Sequence, residues 1–291
     1  KVGAVDLLNN YRLIGGFRTD FQPIPGLSLS PNSEIILGLV NHKKRLNKQL
    51  TLYRRSQMTT LDDFYLLRVL TYEGHFKVIW PFNEVQSIQG SAGLRHQRGI
   101  VLSDNPISLP YPDYYTNYGI LKAAFVHDNT RKLGVNLYKG TRYKVFTEYY
   151  RNFTISNSGM HTLGIDFRNY QQIHRTLIFA SRFAAGTSFG PEKLIHYLGG
   201  VDNNVSPKLN TETPISQTEN YTFQTVVTNM RGFRQNARNG NSFAVLNGEL
   251  RFPIFSYLIN RPIRSDFINS FQIVGFGDVG TAWNGTSPWS G

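Results

Sequence analysis

The sequence predicts an all-β chain folded as a transmembrane antiparallel β-barrel, and three observations carry that expectation. Apolar and polar residues alternate with period two over many stretches. Several stretches run ten residues or more, beyond the roughly five to six of globular strands and close to the roughly 9–11 of a tilted membrane strand. No stretch of helical length shows a 3.6-residue period, and uncharged apolar runs are short, Ile35 to Val40 being typical. A membrane helix needs about 18 or more apolar residues, so a chain of this kind crosses lipid only as a closed barrel, in which neighbouring strands satisfy every backbone group. A soluble sandwich also alternates, but with shorter strands and a more aliphatic inner face.

The strands are expected in this order. Weaker alternation covers Tyr11 to Phe21, Glu34 to His42, Lys48 to Gln57 and Tyr65 to Ile79. From Val85, Ser87, Gln89, Ser91 and Arg95 oppose Ile88, Ala92 and Leu94, and a further candidate spans Tyr118 to Asp128. Arg142, Lys144 and Glu148 then oppose Tyr143, Val145 and Tyr149. The cleanest two-sided strand sets Thr162, Gly164, Asp166 and Arg168 against Leu163, Ile165 and Phe167. Next, His174, Thr176 and Arg182 face away from Leu177, Phe179, Phe183 and Ala185. Late in the chain Asn247, Glu249 and Arg251 oppose Ala244, Leu246, Leu250, Phe252 and Ile254, and a last candidate runs from Phe267 to Ala282. The total is about eleven strands by this pattern.

Between them lie Gly-, Asn-, Pro- and Ser-rich turns. Two longer polar stretches, Ser103 to Asn117 and Asp202 to Asn220, read as loops or insertions. No linker divides the chain and no repeat exceeds the hairpin rhythm, so one barrel domain is expected over residues 1–291, with strands missing at both ends. The chain starts at Lys1 without a signal-peptide apolar region, as expected of a cytoplasmic protein or of a processed or partial piece of something larger.

Composition narrows the chemistry. Charged residues make 17% of the 291, against roughly 25% in an average domain, while aromatics reach 13% with 20 Phe, 16 Tyr and 3 Trp. That mixture suits a surface shared between lipid and a wet lumen, with aromatic residues for the interfacial girdles. The net charge of +12 is dispersed in short groups such as Lys43-Lys44-Arg45, Arg54-Arg55 and Arg131-Lys132. No basic block or nucleic-acid signature accompanies it, so no nucleic-acid partner is expected. With no cysteine, disulfides, thiolate metal sites and cysteine nucleophiles are excluded. The seven histidines never form an HExxH or i, i+4 pair, which leaves metal binding unsupported.

Gly186-Thr187-Ser188-Phe189-Gly190 matches a G-x-S-x-G nucleophile elbow, but Pro191 follows and no amphipathic helix does, so Ser188 is expected to be a small residue at a strand end. No enzyme is expected. Asn220 and Asn284 match glycosylation acceptors.

One constellation remains. Tyr197-Leu198-Gly199-Gly200 precedes Met230-Arg231-Gly232-Phe233, and after the Asn247, Glu249, Arg251 strand comes Phe276-x-Asp278-x-Gly280, whose named residues share a face. In this order the elements resemble the BamA/TamA superfamily of outer-membrane barrels, the bacterial surface-antigen barrel, over residues 194–283. Tyr11 to Gly16, Lys43 to Leu46 and Leu52 to Arg55 look like the branch in which the barrel follows a periplasmic β-propeller. Two features depart from the pattern: about thirty residues separate the Gly-Gly element from the loop tip, and Met230 stands where Val or Ile is usual.

The resemblance implies a barrel of about 16 strands in the bacterial outer membrane, working without a cofactor. A loop tip at Arg231, Gly232 and Phe233 would fold into the lumen, where Arg231 meets the inner wall of Phe276, Asp278 and Gly280. Glu249, a rival partner for Arg231, and Arg251 are secondary lumen contacts. It further implies insertion, assembly or translocation of envelope proteins. The alternatives are a structural barrel that anchors a periplasmic domain or partners, and an open porin. The implied partners are outer-membrane lipid, including lipopolysaccharide, and other envelope proteins as clients or complex subunits.

Overall fold

A computed structural model describes residues 2–8, 10–24, 27–61, 65–102, 112–201, 210–227, 230–259 and 265–285. Long strands dominate: β1 (Val2–Val5), β2 (Tyr11–Ile24), β3 (Leu27–Asn41), β4 (Asn47–Leu61), β5 (Tyr65–Pro81), β6 (Gln86–Leu102), β7 (Tyr114–Asp128), the short β8 (Arg131–Gly134), β9 (Leu137–Asn152), β10 (Gly159–His174) and β11 (Leu177–Phe189). Three short strands follow, β12 (Lys193–Leu198), β13 (Tyr221–Val227) and β14 (Arg238–Gly240). Then come β15 (Ser242–Pro253), the helices α1 (Ile254–Leu258) and α2 (Asp266–Asn269), and β16 (Gln272–Trp283). One sheet has the order β1-β2-β3-β4-β5-β6-β7-β9-β10-β11-β15-β16, with β8 paired to β9; a second sheet has the order β13-β12-β14.

Near-neighbour order joined by short turns is what alternating strands separated by turn residues produce. The eleven strands expected from alternation correspond to β2 to β7, β9 to β11, β15 and β16. Several boundaries differ from expectation. His174 ends β10 and Thr176 lies in the turn rather than in β11, because Arg175 adopts a left-handed φ of 49° that reverses the chain. Ile254 begins a helix, and β16 starts only at Gln272, with Phe267 inside α2. The polar stretch from Ser103 lies outside the described residues as far as 111, and β7 starts at Tyr114, before the expected Tyr118. Of the second polar stretch, 202–209 lie outside the described residues.

The chain divides into two compact units. The first comprises Lys1–Pro81, Ile88–Ala123 and Glu148–Ser158. Its polar sheet face pairs Glu73 with both Arg95 and His75, and Lys122 with Glu148 at 2.9 Å, beside buried Tyr150. The second comprises Phe82–Ser87, Ala124–Thr147 and Gly159–Gly291. There the ladders align Arg168 with Arg182 from β10 to β11, Arg182 with Asn247 from β11 to β15, and Asn247 with Asp278 from β15 to β16. This row defines a polar face. Leu163, Phe183, Leu246 and Val279 project from the opposite face, Val279 being 71% exposed. An extended apolar face of this kind marks a surface that meets something other than water.

No described helix is long and apolar enough to cross a membrane, which does not bear on strands.

Candidate functional site

The site is built on the polar face of β11, β15 and β16. Register puts Asn247 opposite Asp278, Glu249 opposite Phe276 and Val245 opposite Gly280. With side chains alternating at period two, Glu249, Asn247, Phe276, Asp278 and Gly280 therefore share one face.

Onto this face folds the segment that holds the second sheet. β12 pairs in parallel with β13 and antiparallel with β14. Beyond β12 the chain turns at Gly199 and Gly200, with φ of 134° and 78°. Met230 N–H donates to the Gly200 carbonyl at 3.0 Å, and Gly200 N–H donates to the Phe233 carbonyl at 3.0 Å. The Gly-Gly element and the tip, distant in sequence, are thus joined by a β-bridge. Gly199 is close-packed, since a Cβ there would lie 2.0 Å from the Arg234 carbonyl oxygen. Gly232, with φ of 86°, forms the open tip, and nothing lies within 4 Å of where its Cβ would be.

Met230 anchors the tip. It packs with Leu198, Val227, Val245 and Ala282 in a buried apolar cluster, with Phe243 at its edge. A Cβ at Gly280 would be 3.1 Å from the Met230 sulfur, so the absence of a side chain there lets the tip approach β16. The long, flexible thioether fills the space between loop and sheet.

Beside Met230, Arg231 carries the polar contacts. Its Nε and Nη2 donate to the two oxygens of Asp278 at 2.7 and 2.6 Å, and its backbone N–H donates to Oδ2 at 3.0 Å. Nη1 donates to Glu249 Oε1 at 2.6 Å. The guanidinium lies 3.9 Å from the centre of the Phe276 ring. Asp278 also accepts from Asn247 Nδ2 at 2.8 Å, and its side chain is only 3% exposed. The free oxygen of Glu249 accepts from Arg251 Nε at 2.8 Å and Nη2 at 2.6 Å, while Arg251 Nη1 donates to the Asn136 carbonyl at 2.6 Å.

The arrangement holds a backbone segment against a sheet and offers no nucleophile or acid–base pair. An Arg fork on a carboxylate is both stronger and more directional than a single charged hydrogen bond. The second carboxylate and the ring below complete the coordination of the guanidinium.

Sequence reasoning placed Glu249 as a rival to Asp278, whereas Arg231 bonds both at once. At the tip Phe233 is 56% exposed, and the ring against the guanidinium is that of Phe276 on the inner wall. Sequence reasoning missed the packing of Met230 against Gly280 and the pairing of β12 with β13, because neither contact leaves a local period in the sequence.

Ser188 lies inside β11, fully buried; its Oγ accepts from the Leu194 N–H at 2.9 Å, and no strand-to-helix turn presents it. Among the described residues no cluster of His, Asp or Glu is placed to hold a metal ion.

No family model matches the chain, and no curated protein matches it. Among solved structures it is similar to BamA from Haemophilus ducreyi lacking POTRA domains 1–3, with a TM-score of 0.56 and 11% identity over 94% of this chain and 55% of that one. It is also similar to CdiB from Escherichia coli, with a TM-score of 0.47 and 11% identity over 89% of this chain and 44% of that one. The chain thus spans about half the length of the BamA structure. Its long antiparallel strands, taken with that likeness, give the chain the fold of a BamA-type β-barrel.

Proposed function

We propose that residues 1–291 belong to one outer-membrane barrel domain that inserts, assembles or translocates other envelope proteins. In this reading the Arg231 loop tip is an internal brace. The apolar face of Leu163, Phe183, Leu246 and Val279 meets lipid, and the polar face of Arg182, Asn247 and Asp278 lines a wet interior. The observation that carries it is the loop tip fixed to the polar face through both Asp278 and Glu249. A porin is expected to leave its lumen open, whereas here a loop is spent on occupying that face. The BamA-type fold supports the same reading.

Such a barrel needs no cofactor. Client strands would add to an exposed strand edge, using backbone donors and acceptors that the edge leaves unpaired. The test is depletion of the protein in its own cells, with quantification of unrelated outer-membrane proteins. Loss of many of them is expected. Normal levels of all of them contradict insertion and leave a structural anchor.

A further inference from the structure

The first compact unit carries a groove of about 660 Å³ whose lining includes Leu52, Arg54, Tyr72 and Gly74 of one alternating set and Glu73 and Arg95, already paired with each other, of the other. Its position follows from register. Leu37, Leu52 and Gly74 form one row across β3, β4 and β5, and Ile35, Arg54 and Tyr72 form the next. Gly74 leaves the floor open, because a Cβ there would only touch Leu52 at 3.5 Å. Leu94 and Phe153 complete the apolar lining, and Phe153 lies so close over Gly119 that a Cβ there would meet its ring at 2.7 Å. Leu94 is 67% exposed, so this lining is open to its surroundings.

One rim of the groove is polar and aromatic. The Arg54 guanidinium lies 5.8 Å from the Tyr72 ring, Tyr72 lies 6.4 Å from His96, and His96 stacks on Tyr115 at 5.9 Å. His96 Nδ1 is 2.7 Å from Asn117 Oδ1. The nearby Arg98 is already neutralised by Asp113, its Nε donating at 2.8 Å. Arg54 differs: it is exposed, and among the described residues no carboxylate pairs with it.

A mainly apolar groove bordered by an aromatic row and by one cation without a carboxylate partner suits a lipid with an anionic head. Resting on the membrane reading above, we propose that this groove is a site for one lipid, with an acyl chain over Leu37, Leu52 and Gly74 and a phosphate-bearing headgroup on Arg54. Tyr72 holds the guanidinium in place, so little side-chain freedom is lost when the phosphate binds. The occupant is a lipid and not free phosphate, because Arg54 alone gives a soluble anion one exposed contact, whereas the groove adds the burial of a chain.

The test uses the full chain, reconstituted in vesicles and checked by flotation, then exchanged into detergent containing either phosphatidylglycerol or phosphatidylcholine with identical chains. Retained lipid is counted by native mass spectrometry. Retention of phosphatidylglycerol over phosphatidylcholine by about fivefold is expected, the preference one basic side chain confers at a lipid surface. Arg54→Gln should abolish the preference and Arg54→Lys should restore part of it. Gly74→Leu, which fills the groove, should reduce retention of both lipids. Soluble glycerol phosphate should not displace the lipid. Equal retention of the two lipids, or a preference that survives Arg54→Gln, overturns the headgroup assignment. Unchanged retention in Gly74→Leu, or displacement by glycerol phosphate, overturns the acyl site. A chain that fails to float contradicts the membrane reading itself, an outcome distinct from a chain that floats and shows no lipid preference.

Discussion

Arg231 donates to both carboxylate oxygens of Asp278, at 2.7 and 2.6 Å, and to Glu249 at 2.6 Å. Asp278 is almost wholly covered, and its remaining capacity is taken by Asn247 and by the Arg231 backbone. A covered carboxylate with every acceptor site used is costly to leave unpaired, and breaking such a pair typically costs about 3–5 kcal/mol. Here Glu249 still holds the guanidinium if Asp278 is lost, so the low end of that range is expected.

Packing beneath the pair sets a separate constraint. Gly280→Ala places a methyl 3.1 Å from the Met230 sulfur, the Ala244 carbonyl and Val245. Displacement of Met230 should cost about 1–3 kcal/mol of loop docking, read as faster proteolysis within 210–227. Met230→Ala should produce a similar loss of about 2–4 kcal/mol through the cavity it leaves.

Two glycines of the loop should respond differently. Gly199→Ala sets a methyl 2.0 Å from the Arg234 carbonyl oxygen, with φ already positive, and should undock the tip. Gly232→Ala adds only the left-handed backbone cost of about 1–2 kcal/mol, because nothing lies within 4 Å. Limited proteolysis of the two variants, compared with the parent, checks the order.

Arg168 and Arg182 stand directly opposite each other on β10 and β11, a like-charge pair that a sheet disfavours. Asp166 reconciles them, accepting from Arg168 Nε at 2.7 Å and from Arg182 Nη2 at 2.9 Å. Asp166→Asn should lower thermal stability, with partial recovery at high salt or on adding Arg168→Gln. Thermal unfolding of the single and double variants checks this.

His196 lies in β12 of the small sheet, outside the large sheet read as spanning the membrane. Its ring is buried against Phe243 at 4.7 Å between centres, and neither nitrogen has a partner among the described residues. Burial pushes its pKa down from 6.5 to about 4. The unfolded chain therefore takes up this proton first as pH falls. His196 contributes no pH-dependent loss above 6.5, and stability declines from there toward 4, at up to about 1.4 kcal/mol per pH unit. Loop proteolysis measured from pH 7.5 to 4.5 should accelerate in that window, and His196→Phe should flatten the dependence.

How far the sequence reveals all this depends on the range of each contact. The Thr162 to Arg168 strand is legible because its partners lie one hairpin away and its two faces differ in polarity. β12 and β13 are not legible, since a parallel ladder joins segments separated by a polar stretch and neither has a two-sided pattern of its own. The Arg231 and Asp278 pair is legible only through the order of small motifs, and Glu249 stands as a rival to Asp278 in the sequence because both lie on the same face. The choice of Phe276 over Phe233 as the ring against Arg231 depends on the direction of a positive-φ tip, which no local pattern encodes.

The most direct measurement is a thermal-unfolding cycle on the purified, detergent-solubilised chain with Arg231→Asp, Asp278→Arg and the charge-swapped double variant. If the loop tip is braced on the sheet by this pair, each single change lowers the transition temperature and the double variant recovers part of the loss. Single changes that leave the transition where it was in the parent would contradict the brace.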